Sequence, residues 1–263
     1  MKILTVGDVV GGVGLRAVVD RLPGLRERHR ADLVVVNAEN AARGAGTSPR
    51  QARDLLEAGA DVLTGGNHTL RRTELYPLLN TDPRVLRPEN LTVRAPGGGL
   101  AVVETPAGPA AVLNVVGSVF MDSARSPFAT ADELLGRVDG RVGVVVVDMH
   151  AEATSEKVAL GRHLAGRVTA VVGTHTHVQT ADAQIIPPGT AYVTDLGMSG
   201  PHDSVIGVRT ETILTRFLTG APGGFEPAER GVKVQGAVIE ADADGRATAV
   251  STFSIDADEP LAG

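Results

Sequence analysis

Short runs of Val, Leu and Ile recur along the chain, each long enough for a strand and no longer: "KILTV", "DLVVVN", "DVLTG", "AAVLNVV", "VGVVVVD", "VTAVV" and "TAYVTD". Between most of them the apolar positions return at helical spacing. This alternation predicts an α/β fold. Helices are expected over residues 14–29, 48–58, 70–79, 130–138, 155–165 and 209–218, with Thr154 or Ser155 as the N-cap of the fifth. The stretch "GVKVQGAVIEADADGRATAVSTFSID" alternates across a Gly-containing turn instead, which predicts two antiparallel strands with one exposed face. Gly/Pro clusters at 96–99 and 221–224 read as loops. No repeat, linker or low-complexity segment divides the 263 residues, so a single domain over 1–263 is expected.

Composition narrows the chemistry. Cysteine is absent, which removes disulfides, thiolate metal sites and a cysteine nucleophile; any metal must be held by His, Asp, Glu or Asn. The net charge of −6 and the lack of a Lys/Arg block argue against duplex nucleic acid as a partner. Two Tyr, five Phe and no Trp leave little for an extended base-stacking surface. The opening "MKILTVGD" has no basic leader, and no apolar run approaches the ~18 residues of a membrane span, so a cytoplasmic location without a membrane partner is expected.

The informative feature is where the polar residues fall. Asp8 follows "ILTVG", Glu39 and Asn40 follow "LVVVNA", Asn67 and His68 follow "VLTGG", His150 follows "VVVVDM", and His175 and His177 follow "AVVGT". In open α/β sheets, residues beyond the carboxyl ends of strands converge on one ligand site. In extended backbone His175 and His177 leave on the same side, and paired imidazoles suit a shared cation. Each residue alone has another reading: Asp8 caps the next helix, Asn40 and Asn67 close turns, and His150 is a hydrogen-bonded core histidine. Glu39, at the mouth of a buried run, needs a partner in any reading. The coincidence of these strand ends favours a shared site, while His29, His163 and His202 read as ordinary residues.

At this level the chain resembles the calcineurin-like metallophosphoesterases, through "GD" at 7–8, "GNH" at 66–68, a lone His150 and "GTHTH" at 173–177, in that order. More narrowly, "GDVVG", "NAENAARGAG", "GGNHT", "DMHAEATSEK", "VVGTHTHVQTAD" and "TDLGMSGP" resemble the YmdB family of dinuclear phosphodiesterases, with motifs spanning residues 7 to 201. The resemblance implies a four-layer α/β/β/α sandwich, two mixed sheets face to face with helices outside. It places Asp8, Glu39, Asn40 and His177 on one metal ion and Glu39, Asn67, His150 and His175 on a second, with Glu39 bridging. His68 becomes the general acid. Three departures from the wider superfamily stand out: Asp8-Val9-Val10 lacks the usual Asp-x-His, Glu39 replaces a bridging aspartate, and Thr69 replaces the acidic residue after "GNH".

Such a centre suits phosphodiester hydrolysis, because two cations about 3.5 to 4 Å apart hold a hydroxide, polarise a phosphoryl oxygen and neutralise charge during in-line attack. A small phosphodiester is implied as substrate, with 2′,3′- or 3′,5′-cyclic nucleotides foremost. The oxygen-rich donor set favours Fe or Mn, with Zn also compatible. Arg43 in "AARGAG" is a candidate phosphate clamp or a solvated loop arginine. Residues 194–203 are expected over the metal edge, with Asp195 beside the ligands rather than among them. An exposed edge of the second sheet suggests a homo-oligomer. Two other function classes fit parts of the chain. "GVGLRA" matches G-x-G-x-x-A with Glu39 about 20 residues on, as an NAD(P)-binding Rossmann oxidoreductase would. A regulatory protein could also keep the metal or a nucleotide without turnover, although the intact His68 argues for catalysis.

Overall fold

A computed structural model of the chain describes residues 1–222, 224 and 226–259. It begins with β1 (Lys2–Val6) and the two-residue β2 (Asp8–Val9), followed by α1 (Gly11–His29), β3 (Leu33–Asn37), α2 (Pro49–Glu57), β4 (Val62–Thr64) and α3 (Tyr76–Thr81). Next come β5 (Leu100–Thr105), β6 (Gly108–Val116), α4 (Pro127–Leu135), β7 (Val144–His150), α5 (Thr154–His163) and β8 (Ala170–Thr174). The chain continues through β9 (Gln184–Ile186), β10 (Thr190–Val193), β11 (Met198–Pro201), α6 (Thr210–Thr219), β12 (Val232–Ala241) and β13 (Ala247–Asp256).

Two mixed sheets result. One runs β2-β11-β12-β1-β3-β4 with β13 also on β12, and the other runs β5-β6-β7-β8-β10-β9. The layering follows from strand periodicity, since alternate side chains leave on opposite faces. Leu33 and Val35 of β3 pack inward against Val112, Val146, Ala170 and Val193 of the other sheet. Val34 and Val36 face outward onto Val18, Leu22 and Leu25 of α1 and Leu55 of α2. Val145 and Val147 of β7 meet Leu134 of α4 and Leu160 of α5 on the opposite outside. Three apolar layers therefore separate four layers of structure, as the α/β/β/α expectation requires. Strands buried on both faces read as unbroken apolar runs, which is why they stand out in the sequence.

Some local expectations need correction. Over 70–79 the chain makes two short 3-10 turns, Thr69–Arg71 and Thr73–Leu75, before α3. Pro77 has no N–H to donate and fits only a first helical turn, so the α-helix starts at Tyr76. The N-cap of α5 is Ala153, without a side-chain cap, rather than Thr154 or Ser155. The α5 start is tied down instead by Glu156, whose carboxylate accepts from the backbone N–H groups of Ser118 and Val119. Strands β2, β5, β9 and β11 have no counterpart among the apolar runs, because they are very short or, in β5, half exposed. The glycines of "GVGLRA" fall inside α1, which follows the short β2 rather than a turn leading out of β1. A Rossmann site needs those glycines in a turn joining a strand of a parallel sheet to its helix, so the dinucleotide reading fails.

Candidate metal centre

The parallel strands β1, β3 and β4 of one sheet and β7 and β8 of the other end at one edge of the sandwich. Asp8 leaves just after β1, held there because β2 pairs with Met198 and Ser199 of β11. Glu39 and Asn40 follow β3, Asn67 and His68 follow β4, His150 closes β7, and His175 and His177 follow β8. All these expected site residues meet at this edge. Asp8, Glu39, Asn40 and His150 are buried, whereas His68 lines an open cleft of about 380 Å³.

The donors fall into two groups that meet at Glu39. His150 Nε2 lies 3.0 Å from Glu39 Oε1, 3.1 Å from Asn67 Oδ1 and 3.0 Å from His175 Nδ1. His177 Nε2 lies 3.1 Å from the Asn40 amide nitrogen and 3.8 Å from Asp8 Oδ1, and that amide is 3.1 Å from Glu39 Oε1. Glu39, His150 and His175 offer ligand atoms all within 4.8 Å of one another. Gly66 makes room for this cluster: a Cβ there would stand 2.1 Å from Glu39 Oε2 and 2.3 Å from His150 Nε2. Asp8 Oδ1 is buried with no hydrogen-bond partner among the described residues. A bare carboxylate oxygen in the interior is costly, and a cation would satisfy it. The carboxylates and imidazoles present therefore fit a metal ion, without a thiolate, while Asn40 faces this group with its amide nitrogen, which is no metal ligand, and turns its Oδ1 to His68.

Electrostatics agree with that fit. Burial pulls the His150 pKa down, yet the charges of Glu39 and Asp8 and a hydrogen bond to Glu39 outweigh it and raise it to about 9. Burial raises Glu39 too, but His150 and His68 more than offset this and lower it to about 2. Burial dominates at Asp8, pushing it up to about 6 against the pull of His177 and His150. His175 is lowered to about 3, by burial first and then by positive His150. The edge holds a surplus of buried negative charge that a proton on His150 partly neutralises, which is the role a dication takes over when it binds.

The histidine pair converges for a different reason from the one its spacing suggested. Strand β8 stops at Thr174, and His175 and His177 have φ of 98° and 63°, in left-handed backbone rather than extended. Such conformations cost on the order of 1–3 kcal/mol per residue unless surrounding structure holds them. Here Asp195 does so: its Oδ2 accepts from the backbone N–H of Thr176 at 3.1 Å, from the Thr176 hydroxyl at 2.7 Å and from the fully buried Lys157 ammonium at 2.7 Å. The backbone N–H of His175 donates to Asp8 Oδ2 at 3.0 Å. Asp195 thus holds the loop that carries His175 and His177.

Several supporting residues escaped the sequence reading. His150 Nδ1 is 3.0 Å from Thr174 Oγ1, which donates to Asp148 Oδ1 at 2.7 Å. Asp148 Oδ2 also accepts from Asn37 Nδ2 at 3.0 Å and from the Thr64 hydroxyl, so one buried carboxylate ties β3, β4, β7 and β8 together beneath the site. Because Thr174 donates to Asp148, it accepts from His150 Nδ1–H, which turns the Nε2 lone pair to the site. Glu152 Oε2 lies 3.2 Å from His175 Nε2, and His177 Nδ1 donates to the Ile206 carbonyl at 2.9 Å. The signal available was Asp148 itself, a carboxylate inside a valine run that must find partners.

His68 resolves the question raised by Thr69. Thr69 Oγ1 exchanges bonds with the backbone of Gly66, at 2.9 and 2.8 Å, and so shapes the turn rather than the imidazole. The orienting group is Asn40, whose Oδ1 is 2.9 Å from His68 Nδ1, leaving Nε2 for the cleft. Burial lowers the His68 pKa, with Glu39 opposing.

Comparison with known proteins accords with this geometry. The family model described as YmdB-like protein matches residues 4–253. A Bacillus subtilis (strain 168) protein described as a 2′,3′-cyclic-nucleotide 2′-phosphodiesterase is 43% identical over 242 residues, covering 92% of each chain. The crystal structure of a hypothetical protein from Thermus thermophilus superimposes with a TM-score of 0.92 at 43% identity, covering 97% of this chain and 99% of that one. The crystal structure of a novel phosphatase from Mycoplasma pneumoniae does so with a TM-score of 0.90 at 34% identity, covering 97% of this chain and 93% of that one. The chain belongs to the YmdB-like family.

Proposed function

We propose that the chain is a metal-dependent phosphodiesterase, one unit over residues 1–263, that hydrolyses small phosphodiesters of the 2′,3′- or 3′,5′-cyclic nucleotide class. The observation that carries this reading is the Glu39 carboxylate lying within reach of both donor groups, beside a cleft that His68 lines. Asp8, Glu39, Asn40 and His177 would hold one Fe or Mn ion, and Glu39, Asn67, His150 and His175 a second. When bound, such ions supply an activated water and charge neutralisation at the phosphoryl oxygens.

The protein's own residues do the rest. Thr174, Glu152 and the Ile206 carbonyl fix the ring orientations of His150, His175 and His177. In its imidazolium form His68, with Nδ1–H held by Asn40, gives its Nε2 proton to the departing alkoxide and is left neutral, a role worth ~10² to 10⁴ in rate. Arg43 lines the cleft and suits a phosphate oxygen. Val10, Ile206, Val208 and Pro227 form an aliphatic wall, against which a base or sugar packs without aromatic stacking. The relatives' described activities support the same reaction class. Turnover of bis-p-nitrophenyl phosphate with Mn²⁺, followed by a side-by-side assay of 2′,3′-cyclic, 3′,5′-cyclic and linear substrates, tests the proposal. No turnover with any divalent metal would leave a binding protein instead.

A further inference from the structure

A second depression, of about 470 Å³, adjoins the cleft and is lined by charged residues that the chemistry above does not use. Arg16, Arg43, Arg50 and Arg72 line it against one carboxylate, Asp54, in a chain whose net charge is −6. Arg43 lines both cavities and so joins them. We propose that this depression binds a phosphate of the substrate beyond the one being cut, so that linear phosphodiesters carrying an additional terminal phosphate are preferred over those that lack it. The proposal rests on the phosphodiesterase reading of the adjoining cleft.

The four arginines differ in what they already do. Arg72 is occupied: its guanidinium donates to the carbonyls of Ala42 at 3.1 Å and Ala45 at 3.3 Å, pinning the turn that carries Arg43. The same turn is closed by Ala42 N–H to the Gly46 carbonyl at 2.8 Å and held from α2 by Gln51 Nε2 to the Ala41 carbonyl at 3.0 Å. Arg43 itself has φ 54°, left-handed backbone that a non-glycine residue adopts at a cost. A solvated loop arginine needs no such anchoring. Here a tied-down turn places the side chain between two concavities.

Arg16 and Arg43 have no hydrogen-bond or ion-pair partner among the described residues, and Arg50 reaches only Asp54, at 4.0 Å. Arg16 lies over the first turn of α1, its guanidinium 3.6 Å from where a Cβ on Gly12 would stand. This gives a place to the "GVGLRA" stretch, which the catalytic centre does not use. Guanidinium groups bind phosphate by paired N–H donors, and a terminal phosphate near neutral pH carries more charge than an internal diester. Two unpaired guanidinium groups, Arg16 and Arg43, with Arg50 only loosely paired to Asp54 and Arg72 also facing Glu74 at 3.8 Å, therefore favour the more highly charged ligand on this concave surface.

The test compares a 5′-phosphorylated dinucleotide with the same dinucleotide bearing a 5′-hydroxyl, using the Mn²⁺-loaded protein. The wild type should show a KM about 10-fold lower for the phosphorylated form, the scale of one charge-assisted contact. Arg16→Ala/Arg50→Ala should erase that preference while leaving turnover of bis-p-nitrophenyl phosphate and the melting temperature unchanged. Equal KM values in the wild type, or an undiminished preference in the double variant, would overturn the proposal. Equilibrium binding of the same two dinucleotides reads the preference without turnover: tighter arginine-dependent binding with no hydrolysis would keep this subsite and discard the phosphodiesterase reading. If inorganic phosphate raised the melting temperature through these arginines while the attached phosphate gave no advantage, the ligand would be a free anion and the proposal would fail.

Discussion

Thr174→Val isolates the buried relay from His150 to Asp148 at nearly constant volume. In the native protein the Thr174 hydroxyl donates to Asp148 Oδ1 at 2.7 Å and stands 3.0 Å from His150 Nδ1, with all three residues buried. Valine removes both contacts, together with the longer bond that the hydroxyl accepts from Asn37 Nδ2 at 3.3 Å. Asp148 keeps its bonds from Thr64 and Asn37, whereas His150 Nδ1–H loses its acceptor in the interior. One lost bond to a carboxylate and one orphaned ring N–H together cost about 2 to 4 kcal/mol. At this chain length that lowers the melting temperature by roughly 4 to 7 °C. Losing the group that fixes the imidazole should also weaken Mn²⁺ binding by ~10- to 100-fold. Thr174→Ser retains the hydroxyl and sacrifices only a buried methyl, about 1 kcal/mol, so its metal affinity should stay near wild type. Calorimetric Mn²⁺ titration of the three proteins, with thermal unfolding alongside, reads both effects. Wild-type affinity in the valine variant, or an equal loss in the serine variant, would refute the relay.

Three further outcomes are expected. His68→Ala should retain bound metal but lose ~10² or more in kcat on esters with poor alkoxide leaving groups, with a smaller loss for p-nitrophenolate; an equal loss on both would remove the proton-donor role. Because His150 in the metal-free protein is raised from 6.5 to about 9, binding a dication expels its proton. Metal affinity should therefore climb with pH up to about 9, with proton release seen by calorimetry in buffers of different ionisation heat, and a flat profile would contradict it. The same shift stabilises the metal-free fold fully below 6.5 and is lost as pH rises through about 9. Finally, Lys157→Met leaves the buried Asp195 carboxylate without its cation, which should cost about 3 to 5 kcal/mol in chemical denaturation; an unchanged midpoint would mean that the Thr176 and Gly197 donors suffice.

What the sequence made legible follows from what each residue must satisfy. Strands β3, β7 and β8 are buried on both faces and so read directly as apolar runs, and the polar residues at their ends stand out in the sequence. The loops were less legible. Nothing in "GTHTH" announces left-handed backbone at His175 and His177, because that conformation is imposed by Asp195 and Lys157 from distant segments. Similarly, Asn40 steadying His68 depends on two loops meeting, and Thr69 offered no sign of it. The interrupted helix at 70–79 was a local matter that Pro77 could have signalled.

Anomalous diffraction from Mn²⁺-loaded crystals bears most directly on the shared site. Two peaks about 3.5 to 4 Å apart are expected, one among Asp8, Asn40 and His177 and the other among Asn67, His150 and His175, with the Glu39 carboxylate between them. A single peak, or peaks away from Glu39, would contradict the bridged dinuclear centre.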